Sequence, residues 1–248
     1  MEQEKKVQII KFCIAILILV IIILSAVTVI IKYEVEGEKN MPFKLSKMIV
    51  ISTAEGRETK NTNKKWALDV FQNNDIYLYI DKNSEYKSDK ETYISSVEIE
   101  NIKITNPKTG EIKAYMPNSL EGRLYDFSDN FVINENLVYK GGNRSNSKTL
   151  EIGNQGGEIL IRFSNTSVGN YESDKDEQII HDGSLITKAG KTIDDIKFSV
   201  TFDLIIKTNK NKYKTEITID LPYEDIIKNG RTSMEETNME KYIFKRVK

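Results

Sequence analysis

The residues best suited to chemistry sit together at His181-Asp182-Gly183-Ser184. His, Asp and Ser are the members of a hydrolytic triad. A triad needs the imidazole between the hydroxyl and the carboxylate in space, with an oxyanion hole beside them. Neighbours in a tight turn cannot reach that geometry among themselves. Asp182-Gly183, flanked by Ile179-Ile180-His181 and Ser184-Leu185-Ile186, reads instead as a two-residue hairpin turn with a surface histidine. No G-x-S-x-G elbow occurs elsewhere. Paired carboxylates could hydrolyse glycosides from about 5–9 Å apart. The chain holds 37 Asp and Glu, so spacing alone singles out no pair, and most read as solvated strand faces. Asp126-Phe127-Ser128-Asp129-Asn130 and Asp174-Lys175-Asp176-Glu177 are rich in oxygen ligands, yet neither follows the EF-hand order, so both read as solvated loops.

One His and one Cys are too few for a zinc site built from those residues. Walker A and dinucleotide-binding glycine patterns are missing. No catalytic residue, metal or cofactor is therefore expected, and the chain reads more readily as a binding protein than as an enzyme. The binding candidates are Tyr77 and Tyr79, which alternate away from Ile76, Leu78 and Ile80. Exposed tyrosines there would serve as a stacking platform for a sugar or as interface anchors. Trp66 shares a face with Leu68 and Val70 and reads as core.

These residues must be positioned by strands. Lys44 to Ala54 is β-branched and apolar on both faces at Met48-Ile49-Val50-Ile51, which suggests a central strand. Glu55 to Lys65 reads as a charged loop. Trp66–Gln72 and Ile76–Ile80 then form a hairpin turned at Asn73-Asn74-Asp75. Tyr93 to Thr105 changes alternation phase, which predicts a bulge at Glu100-Asn101. Asn106–Gly110 is a turn by composition, returning through a partner strand, 111–116. A short strand or two is expected in 131–138 and a firm one in 157–165, followed by a polar excursion over 166–176. Lys197–Lys207 and Tyr213–Leu221 alternate most regularly. Pro222–Lys228 reads as one helical turn, Ser233 with Glu236 as a capping box, and 242–247 as a last strand. Short strands with turn signals between them, and no long amphipathic helix among them, predict an all-β sandwich, Ig-like or jelly-roll-like, over 44–248. A division into two smaller sandwiches would fall near 141–147.

Ahead of the strands, Phe12 to Ile31 contains no charge, Gly or Pro. That length matches a bilayer core, and only a helix satisfies its own backbone there. The run is longer than a cleaved leader's and lacks a small-x-small site at its end, so an uncleaved single-pass anchor is expected, with the lipid bilayer as its partner. Lys5, Lys6 and Lys11 precede it; Lys32 and Lys39 follow. The bias places residues 1–11 in the cytoplasm and the domain outside the plasma membrane, joined by a juxtamembrane tether over 32–43. Beyond residue 33 the chain carries 32 Lys and Arg against 35 acids. That near-neutrality argues against a nucleic-acid partner. Cys13 lies inside the apolar run, so the domain has no disulfide.

The stretch Tyr33 to Gly56 (YEVEGEKNMPFKLSKMIVISTAEG), with the span before it, resembles uncharacterised N-terminally anchored exported β-sandwich proteins of low-GC Gram-positive bacteria. The resemblance covers about the first quarter of the chain and implies no activity. The expected role is a non-enzymatic structural or interaction protein of the cell envelope. The alternatives are a wall carbohydrate-binding module or weak glycan hydrolase, and an accessory subunit of a larger membrane complex.

Overall fold

The computed structural model describes residues 2–61, 65–87, 91–118, 124–125, 136–143, 149–174 and 176–247. Backbone self-sufficiency extends the apolar run into one 35-residue helix, α1 (Glu2–Glu36). It is long and apolar enough to cross a membrane, with a mean hydropathy of 3.5 over its most apolar 18 residues. The helix takes up the first part of the expected tether, and the chain enters its first strand at Phe43.

Eleven strands follow among the described residues: β1 (Phe43–Asn61), β2 (Lys65–Lys82), β3 (Ile94–Thr105), β4 (Glu111–Tyr115), β5 (Leu137–Gly142), β6 (Glu151–Gly153), β7 (Gly156–Asp174), β8 (Phe198–Thr208), β9 (Lys212–Leu221), β10 (Thr232–Glu236) and β11 (Lys245–Val247). They form two sheets, in the orders β10-β1-β2-β7-β4 and β11-β9-β8-β3-β5-β6. Alternation decides which residues meet between them. Met48, Val50, Ile76, Leu78, Ile80, Ile159, Ile161 and Phe163 of the first sheet share one core with Val97, Ile99, Val200, Phe202, Leu204, Ile206, Ile217 and Ile219 of the second. Burial of each such side chain contributes about 1.5–3 kcal/mol. The chain is thus an all-β sandwich behind a single long apolar helix. Strands on both sides of 141–147 enter that core, and β5 and β6 pair with each other in parallel.

Several local expectations are corrected. β2 runs straight through Asn73-Asn74-Asp75, and its hairpin partner is β1, which continues through the expected charged loop to Asn61. β7 likewise runs on to Asp174 through the expected polar excursion. The physical reason is a buried polar belt inside the strands. Ser52 Oγ and Gln72 Nε2 both donate to Asn74 Oδ1, at 2.7 and 3.2 Å, and Asn74 Nδ2 donates to the Phe163 carbonyl at 3.2 Å. Polar groups that satisfy one another can lie in a sheet interior, where composition alone reads a turn. β4 pairs with β7 in the first sheet, not with β3.

Beyond the belt, the long strands carry a second apolar cluster. Ala54, Leu68, Val70 and Val168 pack against Leu185, Ile186, Ile196 and Ile226. The last four lie on or beside the short helices α2 (Ser184–Lys188), α3 (Ile193–Ile196) and α4 (Ile226–Asn229). The expected hairpin at Asp182-Gly183 is therefore a helix start. Gly183 is buried there, and an added Cβ would stand 1.9 Å from the Ile226 carbonyl oxygen. α4 begins behind Asp225, whose Oδ1 accepts from the Ile227 and Lys228 amides at 3.0 and 3.1 Å, and not at Pro222. Ser233 and Glu236 lie in β10, paired with β1, and not in a capping box.

Other readings hold. The bulge falls between Glu100 and Lys103, with Asn101 at φ 55°. The β8–β9 hairpin pairs Phe198–Lys207 with Lys212–Leu221. The helix is also joined to the far end of the chain. Tyr33 Oη accepts from the Arg246 amide at 2.8 Å, Glu38 N donates to the Phe244 carbonyl at 2.7 Å, and Lys245 pairs with Glu34. Gly37 (φ 69°) allows that approach, since a Cβ would come within 2.4 Å of the Phe244 carbonyl oxygen.

Candidate functional site

The outer face of the first sheet carries a groove of about 430 Å³. Its walls follow from register. β1 and β2 set Arg57 opposite Asp69, Glu55 opposite Phe71 and Thr53 opposite Asn73. β2 and β7 set Asn73 opposite Ser164 and Asp75 opposite Arg162, and β4 brings Tyr115 opposite Arg162. Cross-strand neighbours about 5 Å apart must interact, and here they are complementary. Arg57 Nη2 lies 3.1 Å from Asp69 Oδ2. Ser164 Oγ donates to Asn73 Oδ1 at 2.6 Å, and Asn73 Nδ2 donates to Glu55 Oε1 at 3.1 Å.

The floor is the Asp75–Arg162 pair. Arg162 Nε and Nη2 reach the two carboxylate oxygens of Asp75 at 2.6 and 2.8 Å. The two side chains are only 12% and 15% exposed. The guanidinium lies 4.1 Å from the centre of the Tyr125 ring, a cation–π contact. Burial pulls the Arg162 proton affinity down, but the bonds and charge of Asp75 outweigh this and raise it. Tyr125 is buried by a doubling-back of the chain, in which Pro117 bridges Tyr125 and the Asn118 amide donates to the Leu124 carbonyl at 3.0 Å. Burial raises the hydroxyl pKa of both Tyr115 and Tyr125. A β-bulge between Val70 and Gln72, opposite Ser167 at φ 56°, turns the strands at the end of the groove.

Tyr77 and Tyr79 do lie on this outer face, but they are not a bare platform. Tyr77 is half-buried against Tyr115, Tyr125 and Leu160. Tyr79 is half-exposed, with the Lys47 ammonium 4.4 Å from its ring centre. Burial raises both hydroxyl pKa values, and the charge of a nearby carboxylate, Asp75 for Tyr77 and Glu158 for Tyr79, raises them further. The residues that sequence reasoning missed are Phe71, Asn73, Asp75, Tyr115 and Arg162. The signal was present: Asn73 and Asp75 alternate in phase with Phe71, Tyr77 and Tyr79, which a single continuous strand explains.

The other candidates serve local structure. His181 Nδ1 accepts from the Gly56 amide at 3.3 Å, while Asp182 Oδ1 accepts from the Ser184 amide at 2.8 Å, so the two are drawn to different partners. Glu177 binds Lys188 and accepts from Tyr171 Oη and Ser173 Oγ, each at 2.7 Å. Trp66 is half-buried at a second groove beside Leu68, Ile179 and His181. The acid-rich stretch 126–130 lies outside the described residues, as do 131–135 of the strand expected in 131–138.

Fold and groove together define a class: a β-sandwich with a polar-aromatic cleft on one sheet face, carried behind an apolar helix. No family model, curated protein or solved structure matches the chain.

Proposed function

We propose that this is a single-pass, N-terminus-in membrane protein whose exported sandwich binds a component of the cell envelope without catalysing a reaction. The observation that carries the reading is the groove on the first sheet. Beside its aromatic walls, Phe71 and Tyr115, its polar groups are held in place by ion pairs and side-chain hydrogen bonds, the mark of a preorganised binding surface. The continuity of α1 from the apolar run to Glu36, where its end is bonded to the chain terminus through Tyr33 and Glu38, fits a helix kept as an anchor. The three lysines ahead of the apolar run support the orientation. The resemblance to N-terminally anchored exported proteins fits the same picture.

The composition of the groove favours a glycan over a protein as the bound component. Arg57 offsets Asp69 and Arg162 offsets Asp75, which leaves one carboxylate, Glu55, already bonded to the Asn73 amide, so the groove presents little net charge. Amide, hydroxyl and carboxylate groups beside two rings suit an uncharged polyhydroxylated ligand. A photo-crosslinking residue in place of Phe71, in intact cells, separates the cases. Adducts with wall polymer support the glycan reading, adducts with one protein support a protein partner, and no adduct above that of a Lys108 control removes the binding function. A reporter enzyme active only outside the membrane, fused after residue 247, tests the orientation; an inactive fusion overturns it.

A further inference from the structure

Positive charge gathers at the β8–β9 hairpin. A further groove of about 430 Å³ there is lined by Lys207, Lys210, Lys212 and Arg246 together with Asn209 and Asn211 and, among the described residues, by no carboxylate. The hairpin is stiff. Thr208 Oγ1 accepts from the Lys210 and Asn211 amides at 3.2 and 2.9 Å, and Arg246 is tied to Asn211 Oδ1. Lys207 is braced by Glu98 at 2.6 Å and Lys210 by Thr92 Oγ1 at 2.9 Å.

The location of this groove is set by the helix. The apolar run ends at Ile31, and Tyr33 follows it, where an aromatic ring with a polar tip settles at headgroup level. Tyr33 Oη accepts from the backbone amide of Arg246, a lining residue of the groove, at 2.8 Å. One lining residue of the basic groove is therefore hydrogen-bonded to the first aromatic residue beyond the apolar run. Tyr93, 43% exposed, lies beside the hairpin, its carbonyl accepting from the Asn209 amide at 3.1 Å. It places a second interface-type aromatic next to the cations.

We infer that this groove binds the phosphate of an anionic phospholipid in the leaflet from which α1 emerges on the domain side. The inference rests on α1 being a retained anchor. Lys210, Lys212 and Arg246 meet a surface that concentrates phosphate, and each gains from it, whereas Lys207 is already paired with Glu98. An open groove of stiff donors needs no enclosure, because the anchor supplies the lipid at high local concentration. The bond would add a second fixed point to the helix junction and hold the sandwich, with its other groove, in one posture over the membrane.

The test uses full-length protein in vesicles of phosphatidylcholine, with or without about one third phosphatidylglycerol. A fluorophore at Asn209→Cys, in a Cys13→Ser background, reports contact with lipids carrying a quencher on the headgroup. Anionic lipid should raise quenching, and 1 M salt should abolish the increase. The triple variant Lys210→Gln/Lys212→Gln/Arg246→Gln should lose about fivefold in anionic-lipid preference per cation, roughly a hundredfold in all. Lys108→Gln/Lys191→Gln/Lys197→Gln, changed near the opposite end of β8, should keep the preference. Equal quenching in both lipid mixtures, or equal loss in both triple variants, overturns the inference. Competition by 10 mM inorganic phosphate would assign the groove to free phosphate and overturn the lipid. Co-flotation with neutral vesicles is read in parallel: protein that fails to float refutes the anchor, whereas protein that floats without lipid preference refutes only the groove.

Discussion

Replacing Asp75 with Asn keeps the shape of the side chain and removes its charge. The Arg162 guanidinium then stays on the floor of the groove, against the Tyr125 ring, with one neutral acceptor instead of a bidentate carboxylate. Removing one partner of a fully buried pair costs about 3–5 kcal/mol. Here the pair is 12% and 15% exposed, the Asn oxygen still accepts one bond, and the cation–π contact remains. The expected loss is therefore smaller, about 2–3 kcal/mol. For a folded part of this size, each kcal/mol moves the midpoint by about 2–4 °C, so Tm should fall by about 4–12 °C. The assay is thermal unfolding of the full chain in detergent, followed by near-ultraviolet circular dichroism, to which the tyrosines of this cluster contribute. The double variant Asp75→Asn/Arg162→Met removes the stranded charge and should recover most of the loss, since replacing both members of a buried pair is close to neutral. A fall under about 2 °C for the single variant, or a double variant no more stable than the single, would refute the view that this pair organises the groove.

Further outcomes follow from other contacts. Lys188, then Tyr171 and Ser173, hold the Glu177 carboxyl down to about 2. A folded-state pKa below the unfolded value means the contribution is complete above about pH 4.5 and fades as pH falls toward 2; carboxyl carbon NMR should place the Glu177 midpoint near 2, and a midpoint near 4.5 would contradict the contacts. Gly183→Ala should cost more than about 2 kcal/mol in denaturant unfolding, because its Cβ would stand 1.9 Å from the Ile226 carbonyl oxygen. Gly37→Val should leave the Tm of the sandwich nearly unchanged but expose the Arg246 amide to hydrogen exchange, since it pries α1 from the chain end. Tyr77→Ala should lower stability by about 2–4 kcal/mol, as a member of a packed aromatic cluster, while Tyr79→Ala should change it by under about 1 kcal/mol; equal effects would contradict their different burial.

Strand identity was legible where one face is apolar and the other polar. β8 and β9 are paired as their alternation implies, and the phase change in β3 marks its bulge. Legibility failed where polar residues face inward. Asn73-Asn74-Asp75 has the composition of a turn, and only the partners Ser52, Gln72, Ser164 and Arg162 make it a strand. The candidate groove was hidden for the same reason. Tyr77 and Tyr79 were visible as an outward pair, but Phe71, Tyr115 and Arg162 come from three strands whose register is a long-range property.

By itself, the sequence determined the apolar helix, the all-β class behind it and the near-neutral charge of the domain. These follow from local periodicity and composition, which need no partner strand. Only the tertiary structure decided which sheet each strand joins, how far β1, β2 and β7 run, and that the chain end closes on the helix at Tyr33. Those depend on hydrogen bonds between residues far apart in the chain. The buried Asn74 and the paired Asp75 are stable in a strand solely because distant groups satisfy them.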